Sequence, residues 1–127
     1  MEERIMTRPE MTGKRSLEFS GWIRRRLADS STGFCVGNLD WIFWNYKTRR
    51  LLIAEEKTHS AVCKPWFSRL MRDVIDPALR AHAEAGNYTY LGFHIITFEL
   101  AAPGDEGEMF WDGAPITEEE LVKNLTL

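Results

Sequence analysis

The stretch Gly37–Ser60, GNLDWIFWNYKTRRLLIAEEKTHS, decides the fold. Leu39–Tyr46 is crowded with aromatic and β-branched residues, the composition of a strand. Lys47–Arg50 is a polar turn, and Leu51–Lys57 is a second apolar strand. The two make a hairpin. Strand side chains alternate between faces, so Ile42, Trp44 and Ile53 fall on one face, and Trp41, Phe43, Leu52 and Ala54 on the other. Both faces are apolar, which predicts a hairpin in the middle of a sheet covered on both sides.

The same alternation places Glu55 and Lys57 on one face and Glu56 on the other. Asp40 opens the first strand. A two-residue turn at Lys47-Thr48 sets Asp40 opposite Glu55, and a four-residue turn over Lys47–Arg50 sets it opposite Lys57. Either register gathers Asp40, Glu55 and Lys57 on one face, whereas a slip by one residue disperses them. Charged groups on a largely buried sheet are costly unless something compensates them. Two neighbouring carboxylates repel, and a divalent cation relieves that repulsion. Mg²⁺ prefers oxygen ligands and takes one or two carboxylates with waters and substrate phosphate. Such a metal activates water and polarises a phosphodiester, and a nearby lysine stabilises the charge that develops.

Around the hairpin, Ser16–Leu27 reads as a helix whose Leu17, Phe19, Trp22, Ile23 and Leu27 share a broad apolar side. Arg24, Arg25 and Arg26 close it, where positive charge suits the helix dipole. Thr32–Val36 reads as a short strand and Gly37-Asn38 as a turn. A helix is predicted over Pro65–Ala85, with Pro65 in its first turn, a kink at Pro77 and a stop at Gly86. Tyr88–Leu100 is a third long strand. After a Pro- and Gly-containing loop, Met109–Trp111 reads as a short edge strand turned by Asp112-Gly113. Thr117-x-x-Glu120 is a capping box that opens the last helix. The expected fold class is therefore α/β, a central mixed β-sheet flanked by helices on both faces.

An acidic residue at the start of one strand, followed by ExK at the end of its hairpin partner, resembles the PD-(D/E)xK motif of restriction-endonuclease-like nucleases. The order helix–strand–hairpin–helix–strand over Ser16–Leu100 is similar to the core of that superfamily. The segment Gly37–Ser60 resembles its small phage and prokaryotic members. Leu39 stands where the family name has proline. The resemblance implies that Asp40 and Glu55 bind Mg²⁺ or Mn²⁺, that Lys57 is the catalytic lysine, and that Glu18 is a further acid on the first helix. It implies a metal-dependent hydrolase of phosphodiester bonds, with DNA the expected substrate rather than RNA, and a homodimer as a possible assembly. The alternative is an inactive nucleic-acid- or protein-binding module on the same fold.

The 127 residues fit a tail over residues 1–15 and a single domain over 16–127. Hydrophobic residues at 44% supply a core, and the net charge of −3 argues against a protein that coats nucleic acid by bulk charge. Local phosphate contacts remain open to Arg24, Arg25 and Arg26. No apolar run approaches the length of a membrane span, the first residues lack a hydrophobic leader, and two cysteines make no disulfide framework, so a cytoplasmic location is expected. His59 and Cys63, with Cys35, lack the second ligand pair of a zinc site. His94, in an apolar strand, reads as a structural histidine.

Overall fold

The structure is a computed structural model that describes residues 14–58, 61 and 63–127, with side chains from residue 18 onward except residue 30. The expected tail falls mostly on residues 1–13, outside the described residues. The chain divides after Val36 into two compact units.

In the first unit, helix α1 spans Lys14–Arg26 and carries Arg24, Arg25 and Arg26 in its last turn. On its apolar side Phe19 stacks on Trp22 at a centroid distance of 6.0 Å. The strand expected over Thr32–Val36 does not form. Asp29 captures this stretch instead. Its carboxylate accepts the Ser31 amide and hydroxyl, and its carbonyl accepts the Thr32 amide and hydroxyl. These local bonds close a 3₁₀ turn over Ser30–Thr32, and Gly33 follows with φ of 93°. Short polar side chains here offer the backbone an alternative to a sheet ladder.

The second unit, Gly37–Leu127, is built on a mixed five-stranded sheet. Its strands are β1 (Trp41–Asn45), β2 (Arg50–Thr58), β3 (Thr89–Phe98), β4 (Met109–Trp111) and β5 (Ala114–Ile116), in that spatial order. β1 and β2 form the expected hairpin. β3 runs parallel to β2, and β4 and β5 return antiparallel. The chain is α/β, with a sheet covered by helices on both faces. One face packs Ile53 and Tyr90 against Phe67 and Met71, from the helical segment after β2. The other packs Leu52, Ala54, Ile96, Phe98 and Met109 against Leu121 of the last helix, α4 (Glu118–Leu125).

Two expectations about position are corrected. The hairpin is not central: β2 is interior and buried on both faces, but β1 is an edge strand among the described residues. On that edge strand Ile42 is 66% exposed. Conversely, Met109–Trp111 is not an edge. Asp112 and Gly113 both have positive φ, 52° and 87°. They make the two-residue turn such angles allow, and they bring β5, with Pro115, to the edge in its place.

The helix after β2 is less disrupted by Pro77 than its sequence suggests. It runs as α2 (Pro65–Leu70), a π-helical turn over Met71–Ile75, and α3 (Asp76–His82). Pro77 offers no N–H, and the extra residue of the π turn shifts the ladder so that Asp76 N–H donates to Met71 O. The helix ends at His82, short of Gly86, and the left-handed residue in the turn that follows is Asn87, with φ of 58°. Gly86 is needed for space: a Cβ there lies 2.7 Å from both His82 and Tyr88.

Parallel pairing of β2 with β3 contains a bulge. Leu51 pairs with Tyr90, whereas Ile53 pairs with Phe93. Gly92 occupies the irregularity with φ of 101°. Asp76 pins it, because one carboxylate oxygen accepts the Tyr90 hydroxyl at 2.8 Å and the Phe93 amide at 3.1 Å. Burial opposes ionisation of Asp76, but hydrogen bonds from Tyr90 and Arg80 outweigh it and hold the carboxyl below its ordinary range. Beyond the bulge, Ile95 lies beside Glu55 and Thr97 beside Lys57.

Candidate active site

The hairpin register brings the predicted triad together. Trp41 pairs with Ala54 and Asn45 with Arg50, so continuing the ladder by one residue sets Asp40 level with Glu55. This is the first of the two registers the sequence allowed. The loop that achieves it is longer than two residues: Asn45 and Arg50 close around Tyr46–Arg49. The Asn45 side chain accepts the Lys47 and Thr48 amides, and Arg49 takes a left-handed φ of 56°. Arg49 is fixed there by donating to the Asn87 carbonyl at 2.6 Å, with its guanidinium over Trp44.

At the open end, Asp40 and β2 clasp one another. The Asp40 amide donates to Glu55 Oε1 at 3.2 Å, and the Glu56 amide donates to Asp40 Oδ2 at 2.9 Å. Glu55 Oε2 faces Lys57 Nζ at 3.5 Å. Glu56 turns to the opposite face and accepts the Trp41 indole N–H at 2.9 Å. Alternation along β2 thus separates the two glutamates, as the sequence predicted.

Glu55 is the buried charged residue of the described core, 6% exposed. Burial pushes its carboxyl above the ordinary range, and the negative charge of Asp40 adds to that push. The Asp40 amide and the Lys57 ammonium act the other way without reversing it. The site therefore holds a carboxylate whose charge its protein partners compensate incompletely. Asp40 and Glu55 are the carboxylates here that could hold a hard cation such as Mg²⁺ or Mn²⁺, which takes oxygen ligands. Among the described residues, no group of three or more His, Cys, Asp or Glu is arranged to hold a metal. Of the zinc candidates named from the sequence, His59 lies outside the described residues.

Sequence reasoning missed Cys63 as a neighbour of this site. Burial pushes its thiol up, against the charge of Lys57 and with those of Glu55 and Asp40. Its position just before α2 was the only signal for it. Glu18, Arg24, Arg25 and Arg26 are exposed on α1, in the unit that ends at Val36. His94 is hydrogen-bonded at both ring nitrogens, to Asp112 at 2.7 Å and to the Leu91 carbonyl at 2.8 Å, and stacks on Trp111. It ties β3 to the β4–β5 turn, the structural role expected of it. Among the described residues no helix is long and apolar enough to cross a membrane. Comparison with protein-family models, with curated proteins and with solved structures returned no match.

Proposed function

We propose that this protein is a divalent-metal-dependent nuclease of the PD-(D/E)xK, restriction-endonuclease-like kind, hydrolysing phosphodiester bonds in DNA. The observation that carries the reading is the convergence of Asp40, Glu55 and Lys57 at one end of the β1–β2 hairpin, with Glu55 buried and only partly compensated. Asp40 and Glu55 would hold Mg²⁺ or Mn²⁺, and the bound metal would supply Lewis-acid activation of water and of the phosphodiester. Lys57, on the same face as Glu55, orients that water and offsets charge developing on the phosphate. The Glu55 carboxylate and the Asp40 amide fix one another, so the ligands are held before substrate arrives.

A second reading has its own support. Asp40, Glu55, Glu56 and Lys57 also contact one another directly, through backbone amides and the Lys57 ammonium. Such a clasp suits a non-catalytic module that keeps the fold and binds nucleic acid or protein. The two readings separate in one experiment. Labelled single- and double-stranded DNA and RNA are incubated with the protein in Mg²⁺, in Mn²⁺ and in EDTA, wild type against Lys57→Ala. The nuclease predicts cleavage that needs the metal and falls at least ~100-fold in Lys57→Ala with an unchanged circular dichroism spectrum. Binding without cleavage in every metal establishes the module instead.

A further inference from the structure

The charges of this chain are segregated along the sequence and across the fold. From Lys57 to Arg72 there are four Lys or Arg residues and no Asp or Glu. From Ala81 to Val122 there are nine Asp or Glu residues and no Lys or Arg. A net charge of −3 conceals this division.

The fold turns the division into two flanks of the triad. Lys57 lies in the triad, and Lys64 immediately precedes α2, which packs on the triad's face of the sheet. Lys64, Arg69 and Arg72 are exposed. Arg69 and Arg72 stand three residues apart, on one side of the helix. Arg72 pairs with Asp73 at 3.2 Å, but both side chains are well exposed, and such a pair is weak and easily exchanged for a phosphate. On the other flank, parallel pairing puts the end of β3 beside the end of β2, with Thr58 opposite Phe98. The loop that leaves β3 there carries Glu99, Asp105, Glu106 and Glu108, all exposed.

We propose that a nucleic-acid strand reaches the triad along the helical segment from Lys64 to Arg72, its phosphates held by Lys64, Arg69 and Arg72, and that the acidic loop after β3 repels it from the β3 side. The inference rests on the nuclease reading for the identity of the polyanion. Phosphate contacts of this kind set position and most of the affinity without reading sequence. Local segregation also explains how a chain of net negative charge binds a polyanion, since the field at the site and not the total decides the approach.

The test uses the full chain and fluorescently labelled double-stranded and single-stranded DNA and RNA oligonucleotides. Binding is measured by anisotropy in EDTA between 50 and 200 mM KCl (about the range where counterion release is readily resolved). Lys64→Ala/Arg69→Ala/Arg72→Ala is compared with wild type and with Arg24→Ala/Arg25→Ala/Arg26→Ala. Each phosphate contact contributes about 0.9 to the slope of log K against log salt on duplex DNA, so the α2 variant loses about two to three units of slope. Its affinity falls at least ~10-fold at moderate salt, and each single Arg→Ala substitution removes about one unit. Cleavage in Mg²⁺ is followed in parallel. An α2 variant that binds with the wild-type slope overturns the inference, and if both proteins still cleave, the nuclease reading stands without it. Loss of slope in the α2 variant with no cleavage by either protein supports the binding surface and removes the nuclease. Wild type that neither binds nor cleaves any of the oligonucleotides overturns both.

Discussion

Glu55→Gln tests the site through stability, independently of substrate. The side chain is 6% exposed, and its two protein contacts at the site are the Asp40 amide at 3.2 Å and the Lys57 ammonium at 3.5 Å. Those contacts do not offset burial, which holds the carboxyl above its ordinary range. A folded pKa above the unfolded one gives a contribution that is complete below the unfolded pKa. It is lost as pH rises through the folded pKa. At neutral pH without metal the ionised Glu55 therefore costs stability. Glutamine keeps a carbonyl to accept the Asp40 amide and removes the charge. It also gives up the Lys57 pair, worth at most ~1 kcal/mol because Lys57 is partly exposed. Relief of a buried carboxylate is the larger effect, so the variant gains on the order of 1 kcal/mol at pH 7. That corresponds to a rise in Tm of about 4–8 °C for a domain of this size. The assay is thermal unfolding of both proteins in EDTA at pH 4 and pH 7, repeated at pH 7 with Mg²⁺ or Mn²⁺. The gap between them narrows at pH 4, where the wild-type carboxyl protonates. Metal reverses the order, since a cation at a hundredfold excess over its Kd adds ~2.7 kcal/mol to the protein that binds it. A Glu55→Gln protein that melts below wild type in EDTA at pH 7 refutes the account of an incompletely compensated carboxylate. A wild-type Tm that ignores both cations refutes Glu55 as a ligand.

Two further outcomes follow from the frame that holds the site. Gly92→Ala forces a side chain into a φ of 101°, 3.1 Å from His94 Nε2, and costs about 1–3 kcal/mol by urea unfolding; a change under ~0.5 kcal/mol removes the bulge as a constraint on register. Thr117→Ala breaks the reciprocal bonds of the α4 capping box and costs about 1 kcal/mol, while Thr117→Ser retains most of it, and equal losses in the two variants rule out the hydroxyl as the cap.

Much of the site was legible in the sequence because strand alternation is a local rule. Alternation alone separates Glu56 from Glu55 and Lys57, whatever the rest of the chain does. The turn over Tyr46–Arg49 was read less well. Its Asn45 side-chain bonds and the left-handed Arg49 lengthen the loop without changing which residues face each other. Cys63 was weighed only as a zinc ligand, because its proximity to the triad arises from chain reversal between β2 and α2, which no spacing encodes.

By itself the sequence determined the β1–β2 hairpin, the faces of its side chains, the helix after it and the cap on α4, all set by contacts between residues close in the chain. Tertiary structure alone decided the rest. Met109–Trp111 is drawn inside by the Asp112-Gly113 turn. The parallel pairing of β2 with β3 joins residues some forty positions apart. The bulge at Gly92 and its pin, Asp76, then fix which β3 residues stand beside Glu55 and Lys57. Such long-range pairings depend on burial and on where freed backbone groups find partners, and a single strand does not carry that information. The triad's membership is therefore a property of one hairpin, while its burial, and with it the poorly compensated charge of Glu55, belongs to the whole sheet and the helix packed on it.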